Sequence, residues 1–221
     1  MNKGHDVGGK PGFSVIPFSH DLNEPVFRAT WEARVFALTT AVEYLDKWNL
    51  DQARDAIEKQ SPDQYFEHSY YENWLFGLEK LLIKTGLVTT EELETGVADV
   101  KSDSREAAPL RVEQVESYIH HHYPNPIGNR PVARFKAGDS VTAMNITSRG
   151  HTRLPEYVQG KRGVIRHQQG VHALPDQNAL GTIFSEHLYN VCFSANEIWG
   201  SREDPKFSVN VDLWESYLKP A

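Results

Sequence analysis

The chain has 221 residues, room for one or two domains with real cores, and its 39% hydrophobic and 24% charged content excludes a disordered chain. Thirty Asp and Glu against 23 Lys and Arg leave a net charge of −7, which argues against general nucleic-acid binding. One cysteine, Cys192, excludes an intrachain disulfide; no apolar run nears the ~20 residues of a membrane-crossing helix, and the opening residues lack a leader's apolar core, so a cytoplasmic protein without membrane association is expected.

The first twelve residues, "MNKGHDVGGKPG", are too rich in glycine for a regular element, and composition fits an extended arm that needs a partner surface and a frayed terminus equally. A helix follows in "NEPVFRATWEARVFALTTAVEYLDKW", with Asn23 as cap and Pro25 near its first position. Trp31, Val35, Leu38, Val42 and Leu45 recur at steps of four and three, which predicts that they share its apolar face. A short helix is predicted in "NLDQARDAIEKQ", and a single turn begins at Ser61-Pro62. In "SYYENWLFGLEKLLIKTG", Ser69 and Glu72 stand at capping-box spacing and Gly86 is the stop. Thr89 and Glu92 repeat that spacing. The polar run "DVKSDSREAAPL" reads as a linker, and "RVEQVESYIHHHYPNP" as a helix ending before Pro124.

From Val132 the pattern changes to short runs rich in β-branched and aromatic residues, separated by turn signals such as Gly138-Asp139. "GKRGVIRHQ", "HLYNVCFSANEIWG" and "KFSVNVDLWESYLKPA" are strand candidates, with Cys192 as a small buried hydrophobe. The expected class is α+β. An arm and helical domain over 1–98 and a linker with one helix over 99–131 precede a small β-barrel over 132–221.

The chain carries no complete catalytic constellation. One cysteine cannot build a Cys-x-x-Cys site, and consecutive His120, His121 and His122 diverge around a helix. Glu116 and His120, one turn apart, allow only a weak surface site. Nucleophile-elbow and nucleotide-binding glycine patterns are missing. What the chain offers instead is placed arginine. Arg54 sits in an amphipathic helix among Leu50, Ala53 and Ile57, and Arg153 in the rigid turn "GHTRLP". Arginine is the side chain for multidentate contacts to oxyanions, because its planar fork stays charged. The common alternative for any one of them is a surface ion pair of little consequence.

Several segments carry a resemblance to a known family: "MNKGHDVGGKPGF", "EPVFRATWE", "LDQAR" at 50–54, "SYYENW" at 69–74, "F-x-x-G-D-x-V" at 135–141, "GHTRLPEYVQGKRGVI" at 150–165, "LYNVCFSANEIWG" at 188–200 and "VDLWESYLKPA" at 211–221. In this order they resemble the β subunit of nitrile hydratase over essentially the whole chain. The resemblance implies a lyase that hydrates nitriles to amides. Its Fe(III) or Co(III) is held by an α subunit on a cysteine-rich motif absent here, and two of those cysteines are oxidised. It implies a heterodimer or heterotetramer, an arm wrapped on the α subunit, and an SH3-like barrel. The partner's metal acts as Lewis acid. Carried onto this sequence, Arg54 and Arg153 hydrogen-bond the oxidised cysteine oxygens, and Tyr70 positions substrate or water. Leu50, Ala53, Trp74 and Thr39 line the nitrile pocket. Arg149, Lys161 and Arg162 match less specific positions and read as loop surface or interface. Several relatives carry larger aromatic residues where this chain has Ala53 and Thr39, implying a roomier pocket. Asn73 stands where some carry His, implying a changed contact to the arginines. Rival readings are a subunit of a thiocyanate-hydrolase-like enzyme, in which the equivalent chain is split, and a non-catalytic SH3-like interaction module.

Overall fold

Two kinds of local grammar produce two units in this computed structural model, which describes residues 4–8, 10, 12, 24–98, 108–121, 131–147, 150–200 and 206–221. Lys3–His5 and Gly12–Tyr123 belong to a helical unit; Met1–Asn2, Asp6–Pro11 and Pro124–Ala221 belong to a sheet unit.

The helical unit holds α1 (Thr30–Glu43), α2 (Leu50–Glu58), α3 (Pro62–Glu67), α4 (Tyr70–Lys84), α5 (Thr90–Thr95) and α6 (Val112–His121). Side chains start most of them. Asn49 Oδ1 accepts from the amides of Asp51 and Gln52, and Ser61 Oγ from Gln64. The Glu72 and Glu92 carboxylates reach back to the amides of Ser69 and Thr89, as their spacing predicts. Gly86, at φ +70°, follows the end of α4.

The first helix departs from expectation. It begins at Thr30 rather than near Pro25, because Glu32 takes the amides of Arg28 and Ala29 and fixes the start there. Asn23 lies outside the described residues. The inward face is also rotated. Val35 is buried and Val42 packs inward, but Leu38 is 54% and Trp31 37% exposed. Glu32 is buried, and Thr39 and Glu43 are half-buried. The reason is that α1 packs on α4 along a stripe running through Thr39, whereas the strongest hydrophobic spacing runs through Leu38.

Packing between α2 and α4 is close. A Cβ on Gly77 would lie 2.5 Å from Ile57 Cγ1, so glycine is what allows the approach. Trp48, Ala56, Leu78 and Leu81 form the core there. Gln60, nearly buried, ties these helices together: its Nε2 donates to Asn73 Oδ1 at 2.8 Å and to the Ile57 carbonyl at 2.9 Å.

The sheet unit contains β1 (Ser140–Ala143), β2 (Arg162–Ala173), β3 (Ser185–Ser194), β4 (Ser208–Trp214) and β5 (Leu218–Pro220). All described pairings are antiparallel, in the order β4-β3-β2-β1-β5. The hydrogen-bonded ring that a closed barrel requires is not completed among the described residues. Inward side chains alternate along the strands, and Val141, Ile165, Tyr189, Val191, Phe193 and Leu213 are almost fully buried in one core. Gly163 lies against it; a Cβ there would come within 2.6 Å of Val191. Two short helices were not foreseen. Pro175 opens α7 (Pro175–Asn178), and Ser194 Oγ caps α8 (Ala195–Trp199), so "SANEIW" turns out of the strand instead of continuing it. Cys192 is only half-buried, with Arg166 Nη2 3.4 Å from its Sγ. No helix is long and apolar enough to cross a membrane among the described residues.

Candidate active-site pocket

A cavity of about 450 Å³ opens in the helical unit. Its walls come from α1 (Phe36, Thr39, Thr40, Glu43), α2 (Leu50, Ala53, Arg54, Ile57), the first turns of α4 (Tyr70, Trp74) and α6 (Tyr118, Ile119), with Trp48, Gly77, Leu78 and Leu81 at the base. The structure therefore places Thr39, Leu50, Ala53, Arg54, Tyr70 and Trp74 on the lining of one cavity. The volume lies within the range of small-molecule sites, about 300–1,000 Å³, and the lining is mainly apolar with a few polar groups.

Aromatic rings build one wall. Phe36 and Trp74 are 6.2 Å apart between centroids, Tyr70 and Trp74 5.6 Å, and Tyr70 and Tyr71 5.1 Å at 85°. Tyr70 itself is 66% exposed. Arg54 is held from below. Asp51 Oδ1, in a nearly buried carboxylate, accepts from Arg54 Nη1 at 3.2 Å. That pairing fixes one corner of the guanidinium and leaves its other N–H donors open to an incoming acceptor, among the described residues. Sequence reasoning missed this pairing of Asp51 with Arg54, although the i, i+3 spacing was a usable signal. Among the described residues, Asn73 makes no hydrogen bond to Arg54. It joins Gln60 and donates to the Tyr65 carbonyl at 3.2 Å, while His68 Nδ1 lies 2.7 Å from Gln60 Oε1.

Arg153 belongs to the sheet unit, in a loop pinned from inside. His151 and Leu154, on either side of it in sequence, are 3% and 2% exposed. The Arg153 amide donates to Tyr217 Oη at 3.3 Å, as does Thr152 Oγ1 at 3.1 Å, and Tyr217 donates in turn to Asp176. Burial first, then the Asp176 carboxylate, push the Tyr217 phenol far above its ordinary value and keep it a neutral donor. The arginine side chain leaves this loop exposed. Arg149 lies outside the described residues. Lys161 and Arg162 stand at the start of β2, where the Arg162 amide donates to Glu197 Oε1 at 2.8 Å.

Among the described residues, no group of three His, Cys, Asp or Glu is placed to hold a metal ion. Residues 1–118 match the family model for the nitrile hydratase β subunit N-terminal domain, and residues 124–220 the one for its C-terminal domain. The chain belongs to the nitrile hydratase β-subunit family. It is 37% identical to the nitrile hydratase subunit beta of Pseudomonas putida, covering all of both chains. It is 36% identical to the cobalt-containing nitrile hydratase subunit beta of Pseudonocardia thermophila, over 99% of this chain and 96% of that one. Identity to the low-molecular weight cobalt-containing subunit of Rhodococcus rhodochrous is 34%, over 98% of each. A solved structure, thiocyanate hydrolase apo-enzyme from Thiobacillus thioparus, overlays at TM-score 0.43 and 20% identity, over 52% of this chain and 100% of that chain, too loose a likeness to bear on function.

Proposed function

We propose that this nitrile hydratase β-subunit relative works with an α subunit to hydrate nitriles to amides, as a cytoplasmic heterodimer or heterotetramer. The observation that carries the reading is the single cavity lined by Thr39, Leu50, Ala53, Arg54, Tyr70 and Trp74. In this reading the iron or cobalt is held by the α subunit's cysteine-rich motif. The names of two relatives favour cobalt.

This chain's task is then positioning. Arg54, braced by Asp51, presents its open donors to anionic oxygens on the partner's oxidised cysteines. Arg153 is directed at the same oxygens from its pinned loop. An anionic oxygen in a site shielded from water needs such donors, since a buried unpaired charge is costly. Tyr70 orients the substrate or the water. Leu50, Ala53, Trp74 and Thr39 shape the pocket and exclude bulk water. Small residues at 39 and 53 support room for an aromatic nitrile. Exposed Phe36, Leu38 and Tyr70 supply apolar surface for the α subunit to cover. The sheet unit is read as an SH3-like barrel.

The test is substitution that keeps charge and removes the fork. Arg54→Lys or Arg153→Lys should lower kcat about a hundredfold, the scale of losing one fixed donor to a reacting anion. Native mass should show the complex still assembled. Wild-type turnover in both variants would sink the assigned roles.

A further inference from the structure

One polar group of the cavity has no part in the positioning just described. Glu43, in the last turn of α1, lies half-buried on the cavity wall. Its carboxyl has no hydrogen-bond or ion-pair partner among the described residues. Burial raises its pKa above the ordinary 4.5. Also on the cavity lining, Thr39 Oγ1 and Trp48 Nε1 are buried without hydrogen-bond partners among the described residues, Trp48 being 7% exposed as a residue. Interiors rarely leave polar groups unpaired, and an unpaired one away from water costs stability. A carboxyl kept there without a donor has a use that an aliphatic side chain at the same position would not have.

Its place along the cavity says what that use is. Phe36 packs on Trp74, which marks the end of the cavity nearest Tyr70. Glu43 is two helical turns further along α1, about 10 Å at the ordinary rise per residue. There Tyr44 packs edge-on against Tyr118 at 5.3 Å, and Tyr118 and Ile119 of α6 close the cavity around it. Of these three groups, Glu43 Oε1 and Oε2 are not among the fully buried atoms, whereas Thr39 Oγ1 and Trp48 Nε1 are.

We propose that Glu43 is a specificity-determining residue that accepts a hydrogen bond from the tail of the substrate. The preferred class is then nitriles bearing a hydroxyl or amino donor remote from the C≡N group. The inference rests on reading the cavity as the nitrile site. A site built to hydrogen-bond a substrate donor discriminates against the analogue lacking it more strongly than an apolar pocket can discriminate by size.

The experiment compares two probes of nearly equal shape, 4-(hydroxymethyl)benzonitrile and 4-ethylbenzonitrile, on the assembled enzyme. Wild type should favour the hydroxymethyl probe in kcat/KM by about tenfold or more, the scale of a hydrogen bond to a charged group. Glu43→Leu should bring that ratio close to one, chiefly through KM for the hydroxymethyl probe. Equal ratios in wild type and Glu43→Leu would overturn the proposal. If the leucine variant fails to assemble, Glu43→Gln decides: a neutral acceptor should weaken the preference several-fold, and an unchanged preference overturns it. A wild-type complex that hydrates neither probe nor acrylonitrile instead removes the nitrile reading beneath the proposal.

Discussion

The two units solve opposite problems. In the sheet unit, fourteen buried apolar residues form one cluster, with Val141, Tyr189, Val191, Phe193 and Leu213 essentially inaccessible. Among the described residues of the helical unit the buried core cluster is Trp48, Ala56, Leu78 and Leu81, and a cavity of about 450 Å³ opens beside it. Each unit presents one of the two proposed catalytic arginines, but by different means. Arg153 leaves a loop locked by His151, Leu154 and the Tyr217 hydroxyl, so its precision is borrowed from a dense core. Arg54 stands on a helix that packs closely on α4 yet borders the cavity, and Asp51 is its local brace. Rigid scaffolding and open space cannot be maximised in the same few helices, and the chain divides them between two units.

Core truncation should expose that division most strongly. Leu213→Ala, at 0% exposure, should lose about 3–5 kcal/mol, while Leu78→Ala beside the cavity should fall near the lower end of the leucine-to-alanine range, about 2–3 kcal/mol. Urea unfolding of the assembled enzyme measures both. The Leu78 variant should also raise KM, because its side chain lines the cavity. Equal stability losses with unchanged KM would erase the contrast.

Tyr217→Phe removes the hydroxyl beneath Arg153 without touching the guanidinium. It should cost about 1–3 kcal/mol, as two donors and the Asp176 carboxylate lose a shared partner. Turnover should fall by a smaller factor than in Arg153→Lys. A variant as stable as wild type would mean the loop is held some other way.

The smallest effect concerns pH. The Tyr189 phenol is pushed up to about 12 by burial and by its bond to Glu215, and Tyr217 is raised further. A phenol whose folded value exceeds its unfolded one holds its proton more tightly when folded. Its contribution is intact below the ordinary value of 10.0 and is lost as pH rises through the folded value. Stability of the sheet unit should be flat up to about pH 10 and then decline through about pH 12. In Tyr189→Phe that decline should be shallower.

Much of this was legible in the sequence wherever a local rule set the outcome. Signals at Ser61, Ser69 and Thr89 announced α3 to α5, and the turn at Gly138 announced β1; the Asn49 cap of α2 was not singled out. Arg54, Tyr70 and Trp74 were readable because family resemblance singled out their segments. Glu43 and Trp48 were not, because the hydrophobic spacing of α1 favoured Leu38 as inward, and only packing on α4 turned Thr39 and Glu43 toward the cavity. The burial of Asp51 and Gln60 follows from no local pattern; it depends on partners contributed by neighbouring turns and helices. The short helices α7 and α8 escaped because a capped turn of four or five residues carries too little periodicity to register.

The central claim is that this chain supplies half of a shared active site. Native mass spectrometry with metal analysis and nitrile turnover, on the chain purified from its own source, tests it most directly. The account predicts a complex with a second chain of similar size, cobalt or iron bound in proportion to that chain, and turnover that disappears when the two are separated. A free, metal-less chain that adds nothing to nitrile turnover when the second chain is supplied would contradict it.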